Sequence, residues 1–282
     1  MRHEYLHLAT FPPIMTSTSK KIALMACLFT TICTTAITAD SARWVSLFNG
    51  KNLDGWAIKI AGHPLGENFA DTFRVEDGMI KVYYDKYSKF SGQFGHLYSN
   101  LAYSHYVLRL EYRFAGIVMA DAPEWCNSNS GVMIHAQSPL SMFLEQQFPV
   151  SLECQFLANI GSGPRQTASV CTPGTNIEID GKLITQHIVR STAPVFPIEE
   201  WVKIEIEVHG GKQIVYRVNG QEVLRYQRPQ LDPDETEPQR LQAVRQLQAA
   251  GSPLFLEFGH IALQAEGHPV WFRNIELRPL EN

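Results

Sequence analysis

Cysteine is scarce in this chain of 282 residues, and none of it has the spacing of a metal or redox site. The five cysteines are Cys27, Cys33, Cys126, Cys154 and Cys171. There is no Cys-x-x-Cys and no Cys/His cluster, which excludes a structural zinc module. A cationic excess is missing too: 24 Lys and Arg stand against 28 Asp and Glu, a formal charge of −4. No basic cluster interleaved with aromatics offers a grip on a phosphate backbone, so nucleic acid is not an expected partner. A Gly-x-Ser-x-Gly nucleophile elbow is absent. The Gly161-Ser162-Gly163 triplet leads into no helix pattern, so it makes no phosphate loop. No internal repeat, low-complexity tract or linker interrupts the chain. Its 45% apolar and 18% charged residues are ordinary for a globular protein. One sandwich or barrel domain can absorb this length.

Long apolar runs are absent after the N-terminus. Lys20 and Lys21 precede the run Ile22–Ala39, which ends in small residues. A basic stretch, an apolar stretch and a small-residue end predict a signal peptide over residues 1–39, with Met15 as an alternative start. The competing reading is a membrane anchor. The run is interrupted by Thr and is only marginally long enough for a hydrocarbon core of ~30 Å. The expectation is an exported chain, periplasmic or extracellular, beginning near Asp40 and with no stable membrane span after cleavage. Three cysteines then remain, which allows at most one internal bridge. Cys126 and Cys171 both read as loop residues and form the expected pair. Cys154 reads as a buried thiol, and three free thiols remain the alternative.

What the chain has in abundance is strand periodicity. In His105–Ala115, Tyr106, Leu108, Leu110, Tyr112 and Phe114 take one face and Val107, Arg109, Glu111 and Arg113 the other. Trp201–His209 alternates in the same way. Lys212–Val218 and Gln221–Tyr226 flank Asn219-Gly220, a strong hairpin signal because both turn positions need positive φ. Asp77-Gly78 joins a second predicted hairpin, Thr72–Glu76 and Met79–Tyr83. Further strands fit Ser130–Ala136, Ser151–Leu157, Ser169–Cys171, Asn176–Ile179, Leu254–Gln264 and Val270–Arg278. Asp232–Ala250 breaks the pattern: Leu241, Val244 and Leu247 have helical spacing, so a helical excursion is predicted near 234–250. The prediction is an all-β sandwich or jelly roll over residues 40–282, with one minor helical insertion.

The opening Leu47-Phe48-Asn49-Gly50-Lys51-Asn52-Leu53-Asp54-Gly55-Trp56 resembles that of the 3-keto-disaccharide hydrolase family, also described as a 3-keto-glucoside 1,2-lyase/3-keto-2-hydroxy-glucal hydratase domain. The likeness continues through Phe73–Gly78, Asn129-Ser130-Gly131-Val132-Met133, Pro149–Gln155 and Cys171–Asn176. It closes with Ile261–Gln264 and Gly267–Ile275, so it covers about residues 44–278 in order. The resemblance implies a concanavalin-like jelly roll and a 3-keto-glycoside substrate. By comparison with the family, Asp232–Ala250 and Gly62–Asn100 look like decorations.

A 3-keto sugar is acidified at C2 by its ketone. An enzyme can remove that proton, expel the C1 substituent and add water back. This needs a base, a stabiliser for the enolate oxygen and an acid for the leaving group. No cofactor is required by the sequence, although a divalent metal could act as stabiliser; the metal ligands, if any, are unknown. Glu153 is the first candidate base, because Ser151, Glu153 and Gln155 share the polar face of their strand. His135 is the second catalytic candidate, placed on one face with Asn129, Gly131 and Met133. Glu124 could serve as acid. Trp125 could stack on a sugar, and Gln155, Asn129, Gln264 and His268 could bind hydroxyls. Each has a plainer reading as a strand, loop or turn residue. Two other functions fit the same fold: a non-catalytic carbohydrate-binding module, and an ordinary glycoside hydrolase with paired carboxylates.

Overall fold

Period-two alternation becomes strands wherever one face can be buried, and most of this chain does so. The computed structural model describes residues 43–281, and the predicted signal segment lies outside the described residues. The first strands are β1 (Val45–Ser46), β2 (Trp56–Ile60), β3 (Phe73–Glu76), β4 (Met79–Val82), β5 (Gly95–Tyr103) and β6 (His105–Phe114). Next come β7 (Asn129–Ala136), β8 (Leu152–Leu157), β9 (Ser169–Cys171), β10 (Thr175–Ile179), β11 (Lys182–Ile184) and β12 (Ile188–Val189). The chain ends with β13 (Val202–His209), β14 (Gln213–Val218), β15 (Gln221–Leu231), α1 (Pro238–Ala249), β16 (Gly259–Ala265) and β17 (Val270–Pro279).

These strands form two antiparallel sheets. One runs β11-β10-β15-β14-β13-β6-β17-β4-β3, with β1 beside β17; the other runs β12-β9-β8-β7-β16-β5-β2. The sheets pack face to face as a jelly-roll sandwich, in agreement with the predicted class. Leu108, Leu110 and Tyr112 of β6 meet Val132, Leu152, Cys154, Phe156 and Leu263 of the seven-stranded sheet in one core. Tyr112 stacks on Phe156 with ring centroids 4.2 Å apart. Each such fully buried side chain contributes about 1.5–3 kcal/mol. The Asn219-Gly220 turn joins β14 to β15 with φ of 49° and 84°, as the hairpin signal requires. Among the described residues no helix is long and apolar enough to cross a membrane.

Several expectations need correction. The Gly62–Asn100 stretch is no decoration: it supplies β3, β4 and the first part of β5, an inner strand of the seven-stranded sheet. The strand predicted from Leu254 begins at Gly259, because the chain before it packs Leu256 beside α1 and meets β15 only through the isolated Gln230–Phe255 bridge. Cys126 and Cys171 do not pair, and all three described cysteines are free thiols. The reason is geometric. Cys171 is a strand residue opposite Glu153, whereas Cys126 ends a 3₁₀ turn and is buried in the core between the sheets. The helix forms where predicted. Glu237 caps it, its carboxylate accepting from the backbone N–H of Gln239 (3.2 Å) and Arg240 (2.8 Å), and Pro238 fills the first turn.

Candidate active site

The site lies on the outer face of the seven-stranded sheet, and strand alternation puts it there. Leu152, Cys154 and Phe156 of β8 enter the core, so Glu153 and Gln155 project the other way. Glu153 stands opposite Met133 of β7 and Cys171 of β9. On β16, Ile261, Leu263 and Ala265 are core residues, which turns Ala262 and Gln264 outward. Glu266, one residue past the strand, continues that outward series. Loops cover this face, so its polar groups are sealed: Glu153 is 6% exposed, Glu266 3% and Gln264 fully buried. A cavity of about 260 Å³ remains above them, lined by Asn129, Glu153, Gln155, Cys171 and Glu266 on its polar side. Trp125 and Phe148 close it on the apolar side. Trp125 stacks parallel to Phe94 with centroids 5.6 Å apart, and Phe148 leans on Phe94 at 4.7 Å.

Gly131 makes room for the Glu153 carboxyl. A Cβ at position 131 would lie 2.7 Å from Glu153 Cγ and 2.9 Å from its Cδ. The carboxyl thus lies over the bare backbone of β7. Burial drives both Glu153 and Glu266 well above the ordinary carboxylate range. At Glu153 a hydrogen bond with the Cys171 thiol works in the opposite sense. Glu266 is raised further by the Glu153 charge, with Arg165 opposing. The pair therefore retains protons at a pH where two isolated carboxyls would hold none, and Glu153 is the first of the two to ionise.

Unpartnered polar atoms mark the same face. Glu153 Oε1, Glu266 Oε2, both amide atoms of Gln264 and both ring nitrogens of His96 lack a protein hydrogen bond. Gln264 and His96 are Cα partners across β16 and β5. Leaving such a group buried and unpaired costs about 1–3 kcal/mol, so a cluster of them is a feature of a site rather than of a core. Burial also lowers the His96 pKa to about 3, which keeps the ring neutral. Gln155 Nε2 donates to Asn129 Oδ1 at 3.2 Å, leaving the Asn129 amide N–H groups for a ligand.

Of the residues singled out from sequence, Glu153, Gln155, Asn129 and Trp125 meet at this cavity, and Gln264 lies on the same sheet face. Three do not join them. His135 was expected beside Gly131 and Met133, but β7 carries a bulge: Ile134 and His135 together oppose the single Ile261. His135 takes φ 48°, and its Nε2–H donates to Gly210 O in the β13–β14 turn at 3.1 Å. It lines a separate pocket beside Phe258 and His260, and burial lowers its pKa to about 4. Glu124 is exposed on its 3₁₀ turn and does not line the cavity. His268 is buried beneath the turn into β7, where its Nδ1 accepts from the Ser128 N–H at 3.0 Å.

Sequence reasoning missed Glu266, His96, Phe148, His187 and Arg240. The signal for Glu266 was present, since Ala262, Gln264 and Glu266 share one parity. Arg240 comes from the inserted helix and is held by Glu235 through Nε at 2.8 Å. Among the described residues no group of three or more His, Cys, Asp or Glu side chains is arranged to hold a metal ion.

The family model described as 3-keto-alpha-glucoside-1,2-lyase-like domain matches residues 43–278. Among solved structures, a candidate glycosyl hydrolase from Parabacteroides distasonis is 17% identical, with a TM-score of 0.50 over 86% of this chain and 95% of its own. A second candidate glycosyl hydrolase from the same organism is 19% identical, with a TM-score of 0.48 over 84% of this chain and 100% of its own. At these identities the first likeness speaks to the fold alone. No curated protein matches the chain.

Proposed function

This chain belongs to the 3-keto-alpha-glucoside-1,2-lyase-like domain family, and from that membership we propose that it cleaves 3-keto-glycosides by elimination followed by hydration. The observation that carries the reading is the buried pair Glu153 and Glu266 beneath an aromatic wall. Ionised Glu153 removes the proton at C2, which the C3 ketone has acidified. The C–H electron pair moves into the carbonyl and forms an enolate. Amide donors of Asn129 and Gln155 lie within the same cavity to receive the enolate oxygen. The enolate collapses, the C1–O bond breaks, and Glu266 gives its proton to the departing oxygen. Water then adds at C1 of the enone while a proton returns to C2, so the net change is hydrolysis. The Lys20–Ala39 pattern supports placing this reaction outside the cytoplasm.

The test is to incubate the protein in deuterium oxide with a 3-keto-glucoside and, separately, with its unoxidised parent. Turnover of the keto form alone, with deuterium at C2, is the expected result. Cleavage of the parent would replace this reading with ordinary glycoside hydrolysis by two carboxylates. Binding of both without turnover would make the chain a carbohydrate-binding module. Because side chains hold both proton-transfer roles, turnover is expected to survive a chelator. Trp125→Ala removes half of the aromatic wall and is expected to raise KM about ten-fold with little change in kcat. An unchanged KM would show that the sugar does not stack there.

A further inference from the structure

The elimination proposed above leaves an enone in the cavity until water adds at C1. That carbon is an electrophile, and a thiol stands in the wall of the same cavity. Of the three described cysteines, Cys126 and Cys154 are core residues with no exposure. Cys171 differs from both. Val170 of β9 enters the core, so Ser169 and Cys171 turn outward, and Cys171 lines the cavity beside Glu153. Cys171 and Glu153 are Cα partners across β9 and β8, an arrangement that sets Cβ atoms about 4.5–5.5 Å apart. The proton that Glu153 removes sits on C2, and the electrophilic carbon is its neighbour C1. A side chain on the strand next to the base therefore stands next to C1. Two further groups point to a ligand here. Glu153 Oε1 and Glu266 Oε2 lack hydrogen-bond partners on buried side chains that line this cavity.

We propose that Cys171 is a covalent acceptor for the enone, its sulfur adding at C1 to hold the sugar as a 3-keto-thioglycoside between elimination and hydration. The inference rests on the function proposed above. In the addition the Sγ–C1 bond forms, and the C1=C2 electron pair moves toward C3 to give the enolate. Glu153 returns to C2 the proton it took there, which restores the ketone, and receives the thiol proton in exchange. The adduct contains every atom of thiol and enone, so no oxidant or reductant is consumed. It is itself a 3-keto-glycoside with sulfur at C1. Once Glu153 has lost its proton, the same elimination expels the sulfur and frees the enone for water. Burial and the Glu153 charge push the Cys171 thiol well above its ordinary range, so it holds little thiolate on its own. Its reactivity depends on the hydrogen bond to Glu153, the proton acceptor beside it.

The test reads the site of addition on the full chain by peptide mass spectrometry, with two probes. Cyclohex-2-enone has no glycosidic bond and needs no elimination. It is expected to add to Cys171 at least about ten-fold faster than to Cys126 or Cys154, and Glu153→Gln is expected to slow that addition by at least about ten-fold. The three thiols of the wild type are compared within one chain, so the result does not depend on how a cysteine variant folds. The second probe is a 3-keto-glucoside, quenched during turnover with borohydride. Reduction at C3 removes the acidity of C2 and locks the adduct, so one sugar is expected on Cys171 and none in Cys171→Ser. Equal labelling of the three thiols, or labelling that Glu153→Gln leaves unchanged, would overturn the assignment. Turnover of the 3-keto-glucoside with no locked adduct would overturn the covalent step and leave the reaction standing. Labelling of Cys171 by cyclohex-2-enone without any turnover of the 3-keto-glucoside would instead overturn the reaction, and with it the enone as the natural occupant of a reactive thiol.

Discussion

Glu153→Gln is expected to lower kcat by about 10²–10⁴-fold while leaving the fold intact. Glutamine keeps the shape over Gly131 and loses only the ability to accept a proton. A variant with near-normal turnover would remove Glu153 from the reaction. The companion change, Glu266→Gln, separates the two roles. Loss of an acid should hurt a substrate with an alkoxide leaving group far more than one with a nitrophenolate, which departs unprotonated. Loss of a base should hurt both equally. In the wild type, kcat/KM is expected to rise with pH well beyond the ordinary carboxylate range, because Glu153 must first ionise against burial.

The same carboxyl makes the protein less stable in alkali, and its removal should show the opposite sign from its effect on activity. In the folded chain Glu153 and Glu266 retain protons that the unfolded chain, with ordinary carboxyls, releases. Above the ordinary carboxylate pKa the folded state therefore binds more protons than the unfolded state. Stability falls as pH rises through this window and levels off once the pair has ionised. Each unit of upward shift corresponds to about 1.4 kcal/mol. Glu153→Gln removes one group from this linkage and relieves the repulsion on the other. It is expected to match wild type near pH 4 and to exceed it by roughly 1–4 kcal/mol at pH 9. For a domain of this size each kcal/mol is worth about 2–4 °C in Tm. Thermal unfolding at the two pH values reads the difference directly, and equal curves at pH 9 would mean that Glu153 is not held protonated by burial.

How much of this was readable in advance depends on whether a feature is local or not. Glu153 was legible because β8 alternates without interruption and the family motif spans it. Glu266 was not, although it shares parity with Gln264, because the strand ends at Ala265 and alternation carries no information past a strand's end. His135 was misplaced for the same kind of reason. Alternation carries a side chain to the right face only in an unbulged strand, and the extra residue in β7 appears only when β16 is laid beside it. The β5 strand was hidden because His96 and Tyr98 are buried on the outer face as fully as Leu97 is on the inner one. A strand covered on both sides has no apolar–polar period to find. The pairing of Glu153 with Glu266 is further from reach, since it depends on β8, β7 and β16 being neighbours. Strand order is a non-local property.

Gly131→Ala is expected to cost at least about a hundred-fold in kcat, although it adds one methyl group and removes no functional atom. Away from a site, alanine in a strand interior is favoured over glycine by roughly 0.5–1 kcal/mol. Residue 131 is not among the positions with positive φ, so its backbone accepts alanine without strain. The nearest conflict is with Glu153, whose Cγ and Cδ lie 2.7 Å and 2.9 Å from the new Cβ. The carboxyl has to leave its place over β7, and a displacement near 1 Å at a reacting group can cost on the order of 10² in rate. Stability moves little, because the gain in the strand offsets part of the crowding. If the rate loss acts through Glu153, adding Gly131→Ala to Glu153→Gln should lower kcat little further, since the two changes remove one function. Independent, multiplying losses would mean that Gly131 serves the sheet and not the carboxyl. A crystal structure of the alanine variant should show the Glu153 carboxyl displaced with β7 and β8 unmoved, and an undisplaced carboxyl with normal turnover would end the argument that a missing side chain on one strand holds the base of the next.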